Sequence, residues 1–105
     1  MEFINKVELQ GYVGQVLLTT IQDHLIARFS MYTEYAFKNN TGMAIVETTW
    51  FSCSAFEGEN VDFSAIQKGN AVRVVGRLRE RRYMDQEGVE RRHFEVTCQS
   101  VKLAE

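Results

Sequence analysis

Basic and aromatic residues are concentrated between Lys68 and Val96, where eight of the chain's twelve Lys and Arg residues lie. Tyr83 stands among four arginines in this segment, close to an Asp-Gln-Glu-Gly turn at residues 85–88. Guanidinium groups pair with phosphates, and an exposed aromatic ring offers a face on which a base stacks. These residue types predict a hairpin that contacts single-stranded nucleic acid.

The first half of this segment alternates in the way that a β-strand with two different faces does. One face carries Val72, Val74, Gly76 and Leu78, and the other carries Arg73, Val75, Arg77 and Arg79. An alternative for the arginines is a solvated face that is ion-paired across the hairpin with Glu87, Glu90 and Glu95, and such pairs are common and weak. We expect arginines in both roles and favour phosphate contact for the group. The candidate phosphate ligands are Arg77, Arg79, Arg81, Arg82, Arg91 and Lys6.

The net charge of −2 hides an uneven distribution along the chain. Residues 1–67 carry a net −5, residues 68–93 a net +4, and the last twelve residues a net −1. Contact with phosphates requires concentrated positive charge rather than a positive total. The acidic overall balance is therefore compatible with a nucleic-acid-binding protein.

The length of 105 residues predicts a single domain spanning residues 1–105. No apolar run approaches the ~20 residues that cross a bilayer, and the first residues lack the pattern of a secretory signal. We therefore expect a cytoplasmic protein with no membrane association. Cys53 and Cys98 are 45 residues apart and fit a reduced structural role. His24 and His93 do not complete a metal site with them, so we expect no metal and no cofactor.

The elements that must position the hairpin are mostly β-strands. Alternation and turn residues predict strands from Phe3 to about Thr20, from Leu25 to about Phe37, and from about Ala44 to Phe56. Residues 60–68 suit a short helix with Asn60 as its N-cap, and two further strands follow. Three strands, one short helix and two strands form the layout of an all-β, five-stranded OB-fold barrel.

Several stretches of the chain resemble bacterial single-stranded DNA-binding proteins. Residues 5–14 resemble the opening strand of that family, residues 49–56 its third strand, and residues 68–79 its fourth strand, in which a Lys-Gly pair leads into Gly-x-Leu-Arg. Residues 83–88 and 94–96 continue the likeness through the last hairpin. The resemblance covers nearly the whole chain, with its motifs in order.

The resemblance implies that bases stack on four aromatic residues. They match Phe37 at the end of strand two, Trp50 and Phe56 on strand three, and Tyr83 on the last hairpin. Trp50 shares a face of its strand with Thr48 and Ser52, whereas Ile45, Phe51, Cys53 and Ala55 lie on the other face. This places Trp50 on the polar face. Phe56 and Phe37 have the alternative of capping the barrel or filling an interface.

The chain departs from the family at three points. Phe51 stands where a polar residue usually follows the strand-three tryptophan, and the connection between strands one and two is short. The chain stops at Glu105, so recruitment of repair enzymes through an acidic tail is not expected. The resemblance further implies a homo-oligomer, for which a tetramer is favoured over a dimer.

The sequence contains no catalytic motif, so we expect a binding protein and not an enzyme. The expected activity is largely sequence-independent binding of single-stranded DNA in replication, recombination or repair. One alternative is a dimeric OB-fold mediator that resembles the primosomal replication protein N. Another is an OB domain whose basic hairpin binds an acidic protein and no DNA.

Overall fold

Five long strands form a closed barrel in the computed structural model, which describes residues 1–104. The hydrophobic-polar alternation noted above gives each strand one buried and one exposed face. The strands are β1 (Val7–Ile21), β2 (His24–Lys38), β3 (Ala44–Phe56), β4 (Ala71–Met84) and β5 (Glu90–Leu103). The all-β, five-stranded barrel predicted from the sequence is confirmed.

The barrel closes in the order β1-β2-β3-β5-β4, and only the β3–β5 pair is parallel. The first half of β1 pairs with β4 and its second half pairs with β2, with a bulge between Val13 and Val16. Gly11 lies at this crossing, where a Cβ would collide with the carbonyl oxygen of Tyr32. The missing side chain allows β1 to bend from one partner strand to the other.

The β3–β5 pairing is short and determines where the barrel opens. It joins only residues 53–55 of β3 to residues 96–98 of β5. Before these residues the two strands separate, and each continues in a hairpin with its antiparallel neighbour. The β2–β3 hairpin and the β4–β5 hairpin therefore extend past the barrel on either side of a cleft.

The core consists of small and medium apolar side chains from all five strands. Its most deeply buried members are Ala27, Met31, Ala55, Ala65, Val72, Val74, Val96 and Val101. Cys53 and Cys98 are also buried there as free thiols. A hydrogen bond with Cys98, followed by burial, raises the pKa of the Cys53 thiol, so both residues act as small core side chains.

The helix predicted for residues 60–68 is a single 3₁₀ turn, Phe63–Ala65. Its N-cap is Asp62 and not Asn60, because the Asp62 side chain accepts from the backbone N–H of Ser64 at 3.0 Å. Val61 forms a bridge with Val101, which keeps the chain extended up to the cap. After the turn the backbone N–H of Gln67 bonds to the carbonyl of Ala65 and that of Asn70 to the carbonyl of Gln67, so the helical hydrogen-bond series does not continue.

Strand β1 begins at Val7 rather than at the predicted Phe3. Asn5 bonds to β4 through its side chain, which accepts from the N–H of Leu78 at 2.9 Å and donates to its carbonyl at 2.7 Å. The short connection between β1 and β2 is a two-residue turn, in which Gln22 and Asp23 both have positive φ.

Among residues 1–104, no helix is long and apolar enough to cross a bilayer.

Candidate nucleic-acid interface

Three aromatic rings form a row across the outer face of β1, β2 and β3. Tyr12, Tyr32 and Trp50 are directly paired through the strand register. The ring centroids of Tyr12 and Tyr32 are 5.7 Å apart, and those of Tyr32 and Trp50 are 4.9 Å apart. Trp50 is 58% exposed, on the face predicted from the sequence. We call these three residues the aromatic row.

Gly14 provides the space into which Trp50 packs. A Cβ on this glycine would lie 2.6 Å from Cζ3 of Trp50 and 2.7 Å from the hydroxyl oxygen of Ser30. Both distances are shorter than van der Waals contact. The β1 bulge therefore holds the indole against the sheet and leaves the opposite side of the ring open to solvent.

An open groove of about 520 Å³ lies beside the aromatic row, between the sheet and the β4–β5 hairpin. Ser30 and Ser52 are paired with each other on the same face as Tyr32 and Trp50, and their small polar side chains line the groove. Arg28 and Arg81 contribute positive charge from two sides. The groove thus combines apolar surface and small hydroxyl side chains with guanidinium donors next to the aromatic row, as a single-strand binding surface requires.

The four aromatic residues predicted from the sequence do not share one surface. Phe56 is half-exposed on the face of Trp50, six residues farther along β3. Phe37 lies on the opposite face of the β2–β3 hairpin, because it is an odd number of positions from Tyr32. It is stacked on Tyr35, with 5.9 Å between centroids. The structure therefore separates Phe37 from the aromatic row.

Tyr83 lies near the end of β4 and is 51% exposed. Its ring meets His93 of β5 edge-on, with 5.8 Å between centroids. Tyr83 shares a strand face with Arg77, Arg79 and Arg81, whereas Arg82 lies on the other face of the hairpin. The predicted arginine group is thus divided between two surfaces.

Most arginines of the β4–β5 hairpin already have acidic partners. Arg82 contacts Glu80 at 2.8 Å and Glu90 at 3.8 Å, and Arg92 also contacts Glu80 at 3.8 Å. The hydrogen bond from Arg82 is the main reason why the pKa of the Glu80 carboxyl is lowered. Among the residues that the structure describes, Glu90 is the only carboxylate considered from the sequence that pairs on this side of the hairpin, and the main partner is Glu80; exposed pairs of this kind are weak.

Two further ion pairs lie on the other face and at the tip. Arg81 is 3.7 Å from Glu95, and Arg91 is 2.9 Å from Asp85. Within the part of the chain that the structure describes, no ion pair involves Arg77 or Arg79. These two residues are the exposed arginines of the hairpin that can meet a phosphate without giving up a carboxylate.

Asp85 organises the tip of the hairpin. Its side chain accepts from the backbone N–H groups of Glu87 and Val89, each at 2.9 Å, and from Nε of Arg91. The Arg91 hydrogen bond, followed by that of Val89, holds the pKa of the Asp85 carboxyl below its usual value. Arg91 is therefore a structural partner of the turn as well as a surface cation.

Sequence reasoning did not identify Tyr12 and Tyr32 as site residues. Tyr12 shares a face of β1 with the polar Glu8 and Gln10, which was a signal for the exposed face. Tyr32 had no such signal, because its role depends on the register of β2 with both neighbours. The predicted Lys6 is exposed just before β1, next to the Asn5 contact and outside the groove lining.

The closed barrel with this strand order, open on a face that carries aromatic and basic side chains, defines an OB-fold domain. The sequence model of the single-strand binding protein family matches residues 4–104. The chain belongs to that family.

Two curated relatives are the single-stranded DNA-binding proteins of Neisseria meningitidis serogroup A and serogroup B. Each is 22% identical over 103 residues, covering 95% of this chain and 59% of the relative. The chain thus spans little more than half the length of these relatives.

Solved structures share the fold at low identity. A Plasmodium falciparum SSB in complex with ssDNA superposes with a TM-score of 0.85 and 20% identity, covering 100% of this chain and 98% of that one. A small single-stranded DNA-binding protein from Streptomyces coelicolor gives a TM-score of 0.72 and 17% identity, covering 99% and 96%. These likenesses establish the fold.

Proposed function

We propose that this protein binds single-stranded DNA without catalysis and largely without regard to sequence. The observation that carries the proposal is the aromatic row, whose exposed rings adjoin a groove with arginines on two sides. Family membership and a superposed SSB in complex with ssDNA support the same ligand.

In the proposed mechanism, bases stack on Trp50 and Tyr32 while the sugar-phosphate backbone follows Arg28, Arg77 and Arg79. Stacking contributes about 1–3 kcal/mol per base and tolerates any base, because every base has a π face. Phosphate contact adds a salt-dependent contribution through counterion release. Phe56 and Tyr83 extend the stacking surface at either end of the groove. Phe37 is on the reverse face of its hairpin, so it can stack on a base only if the DNA wraps around the hairpin.

The test uses Trp50, the single tryptophan of the chain, as its own probe. Titration with oligo-dT at several salt concentrations should quench the indole emission strongly, because a stacked base lies against the ring. The affinity should fall as salt rises. Unchanged emission together with no gel shift at low salt would exclude the proposal.

A competitor separates DNA binding from attraction to any acidic partner. Polyglutamate carries negative charge but has no aromatic bases, so it should displace little oligo-dT at matched charge. Equal displacement by polyglutamate would favour the alternative in which the basic hairpin binds an acidic protein.

The assembly belongs to the same proposal. We infer a homo-oligomer, since apolar side chains such as Leu17, Leu18 and Ile21 are exposed on β1. The preference for a tetramer over a dimer rests on the family resemblance. Native mass spectrometry should give a multiple of the 12.1 kDa chain, and a two-fold multiple would favour the dimeric mediator. A cytoplasmic role in replication, recombination or repair completes the proposed function.

A further inference from the structure

Glu95 is a buried carboxylate on the wall of the groove. Its side chain is only 8% exposed, and it lines the groove together with Arg81 and His93. Oε2 lies 3.7 Å from Nη1 of Arg81, which is longer than a hydrogen bond. Removing a carboxylate from water is costly unless donors replace the lost water. Glu95 therefore has acceptor capacity that an occupant of the groove can satisfy.

The groove has room for a base next to this carboxylate. Ser30 and Ser52 have small side chains, so the surface between the aromatic row and the β4–β5 hairpin is not filled. A base placed there can turn its edge toward Glu95 on β5 and Arg81 on β4, which both line the groove. Bases of single strands have free Watson–Crick edges, which side chains read by hydrogen bonding.

Guanine has the edge that matches this pair of side chains. Its N1–H and N2 amino group are two adjacent donors, and its O6 is an acceptor beside them. A carboxylate offers two acceptor oxygens, and a guanidinium donates in a fixed fork. Adenine, cytosine and thymine do not present two adjacent donors on that edge.

We propose that Glu95 and Arg81 read the Watson–Crick edge of one guanine in the groove. The inference rests on the proposed function, since it requires that the groove hold single-stranded DNA. It adds a preference for guanine at one nucleotide of the bound DNA. Elsewhere the surface contacts the ring faces of the bases and the phosphates, which do not distinguish one base from another. Glu95 accepts from N1 and N2, and Arg81 donates to O6.

The experiment compares three oligonucleotides: oligo-dT, the same strand with one central dG, and the same strand with deoxyinosine at that position. Inosine differs from guanosine only by the missing 2-amino group, so the two bases stack almost alike. Fluorescence anisotropy of labelled strands should show dG binding several-fold more tightly than inosine, since a good bidentate contact discriminates by roughly 1–3 kcal/mol, or about fivefold and upward.

The Glu95→Gln variant should lose the difference between dG and inosine, and its affinity for oligo-dT should rise rather than fall because a negative charge beside Arg81 is removed. Glu87→Gln removes an exposed carboxylate from the turn of the same hairpin and should keep the difference. Equal binding of dG and inosine by the unmodified protein overturns the inference, whatever the variants do. A preference that survives in Glu95→Gln overturns it as well. Failure to bind any of the three strands would instead reject the proposed function.

Discussion

The β2–β3 and β4–β5 hairpins flank the same groove but present different chemistry to it. The β2–β3 side contributes Trp50, whose exposed ring packs into the space at Gly14, and the partly buried Tyr32 beside it. The β4–β5 side contributes most of the arginines, and four of them are ion-paired to carboxylates of the same hairpin. The aromatic side is ready for a ligand, whereas on the other side every ion-paired arginine must exchange its carboxylate for a phosphate, and Arg77 and Arg79 need not.

This difference has a consequence for the energetics of binding. A base that stacks on Trp50 replaces water on an apolar face, and no existing contact is broken. A phosphate that approaches Arg82 competes with Glu80, so its net gain is smaller than the count of arginines suggests. We therefore expect stacking to dominate the affinity, and we expect the salt dependence to reflect fewer phosphates than eight basic residues would imply.

The largest expected effect comes from Trp50→Ala. Loss of the main stacking face should weaken binding of oligo-dT by about 1–3 kcal/mol, or roughly fivefold to a hundredfold. Anisotropy of a labelled strand measures it, because the variant has no tryptophan. Trp50→Phe should recover part of the loss. An unchanged affinity in Trp50→Ala would show that stacking on the β2–β3 hairpin does not dominate binding over the arginines of the β4–β5 hairpin.

Gly14→Ala should have the next largest effect. The added Cβ displaces the indole ring from its position against the sheet, so affinity should fall several-fold with the tryptophan still present. The shift in intrinsic emission reports the displacement directly. Gly58→Ala is the matched control, because its Cβ would meet no atom closer than 3.9 Å. Equal behaviour of the two variants would mean that the position of the ring is not determined by Gly14.

A smaller effect of opposite sign is expected for Glu80→Gln. This change removes the charge that pairs with Arg82 and Arg92, so oligo-dT should bind about two- to threefold more tightly at low salt and with a steeper salt dependence. Glu47→Gln, an exposed carboxylate on the β2–β3 hairpin, controls for net charge. If both variants gain equally, the ion pairs do not restrain the arginines.

The smallest effect concerns the tip of the β4–β5 hairpin. The pKa of Asp85 in the folded protein is lowered from the usual 3.8, so its stabilising contribution is present above that value and is lost as pH falls below it. The protection factors of the Glu87 and Val89 amides, taken against the intrinsic exchange rate at each pH, should therefore fall under acid conditions. Asp85→Ala should already show low protection at neutral pH, and Asp85→Asn, which keeps an acceptor oxygen, should show intermediate protection. Protection factors that are unaffected by pH and by both substitutions would contradict this role.

The prediction of the fold was accurate because its signals are local. Alternation along Val72, Val74 and Gly76 depends on a two-residue period, and the turn at residues 39–42 depends on residue types within a few positions. The bounds of β3 agree with those predicted, Ala44–Phe56. The helix at residues 60–68 was predicted too long because the Val61–Val101 bridge, a contact between distant residues, keeps that segment extended.

In the candidate site, too, features with local sequence signals were predicted, and features that depend on contacts between distant residues were not. The position of Trp50 on the polar face followed from its neighbours in sequence, whereas the contact of Tyr12 and Tyr32 with it depends on two strand registers. The location of Phe37 on the reverse face follows from the hairpin continuing past the barrel, where the face that is buried in the barrel becomes exposed. Single positions were predictable, but their grouping was not.

By itself, the sequence determined the five strands, the concentration of charge between residues 68 and 93, and the face of each strand that meets solvent. These properties follow from residue type and short-range periodicity. Only the tertiary structure decided which faces of different strands adjoin, which arginines are paired, and that Glu95 is buried in the groove. Those outcomes depend on strand register and barrel closure, which bring together residues that are far apart along the chain.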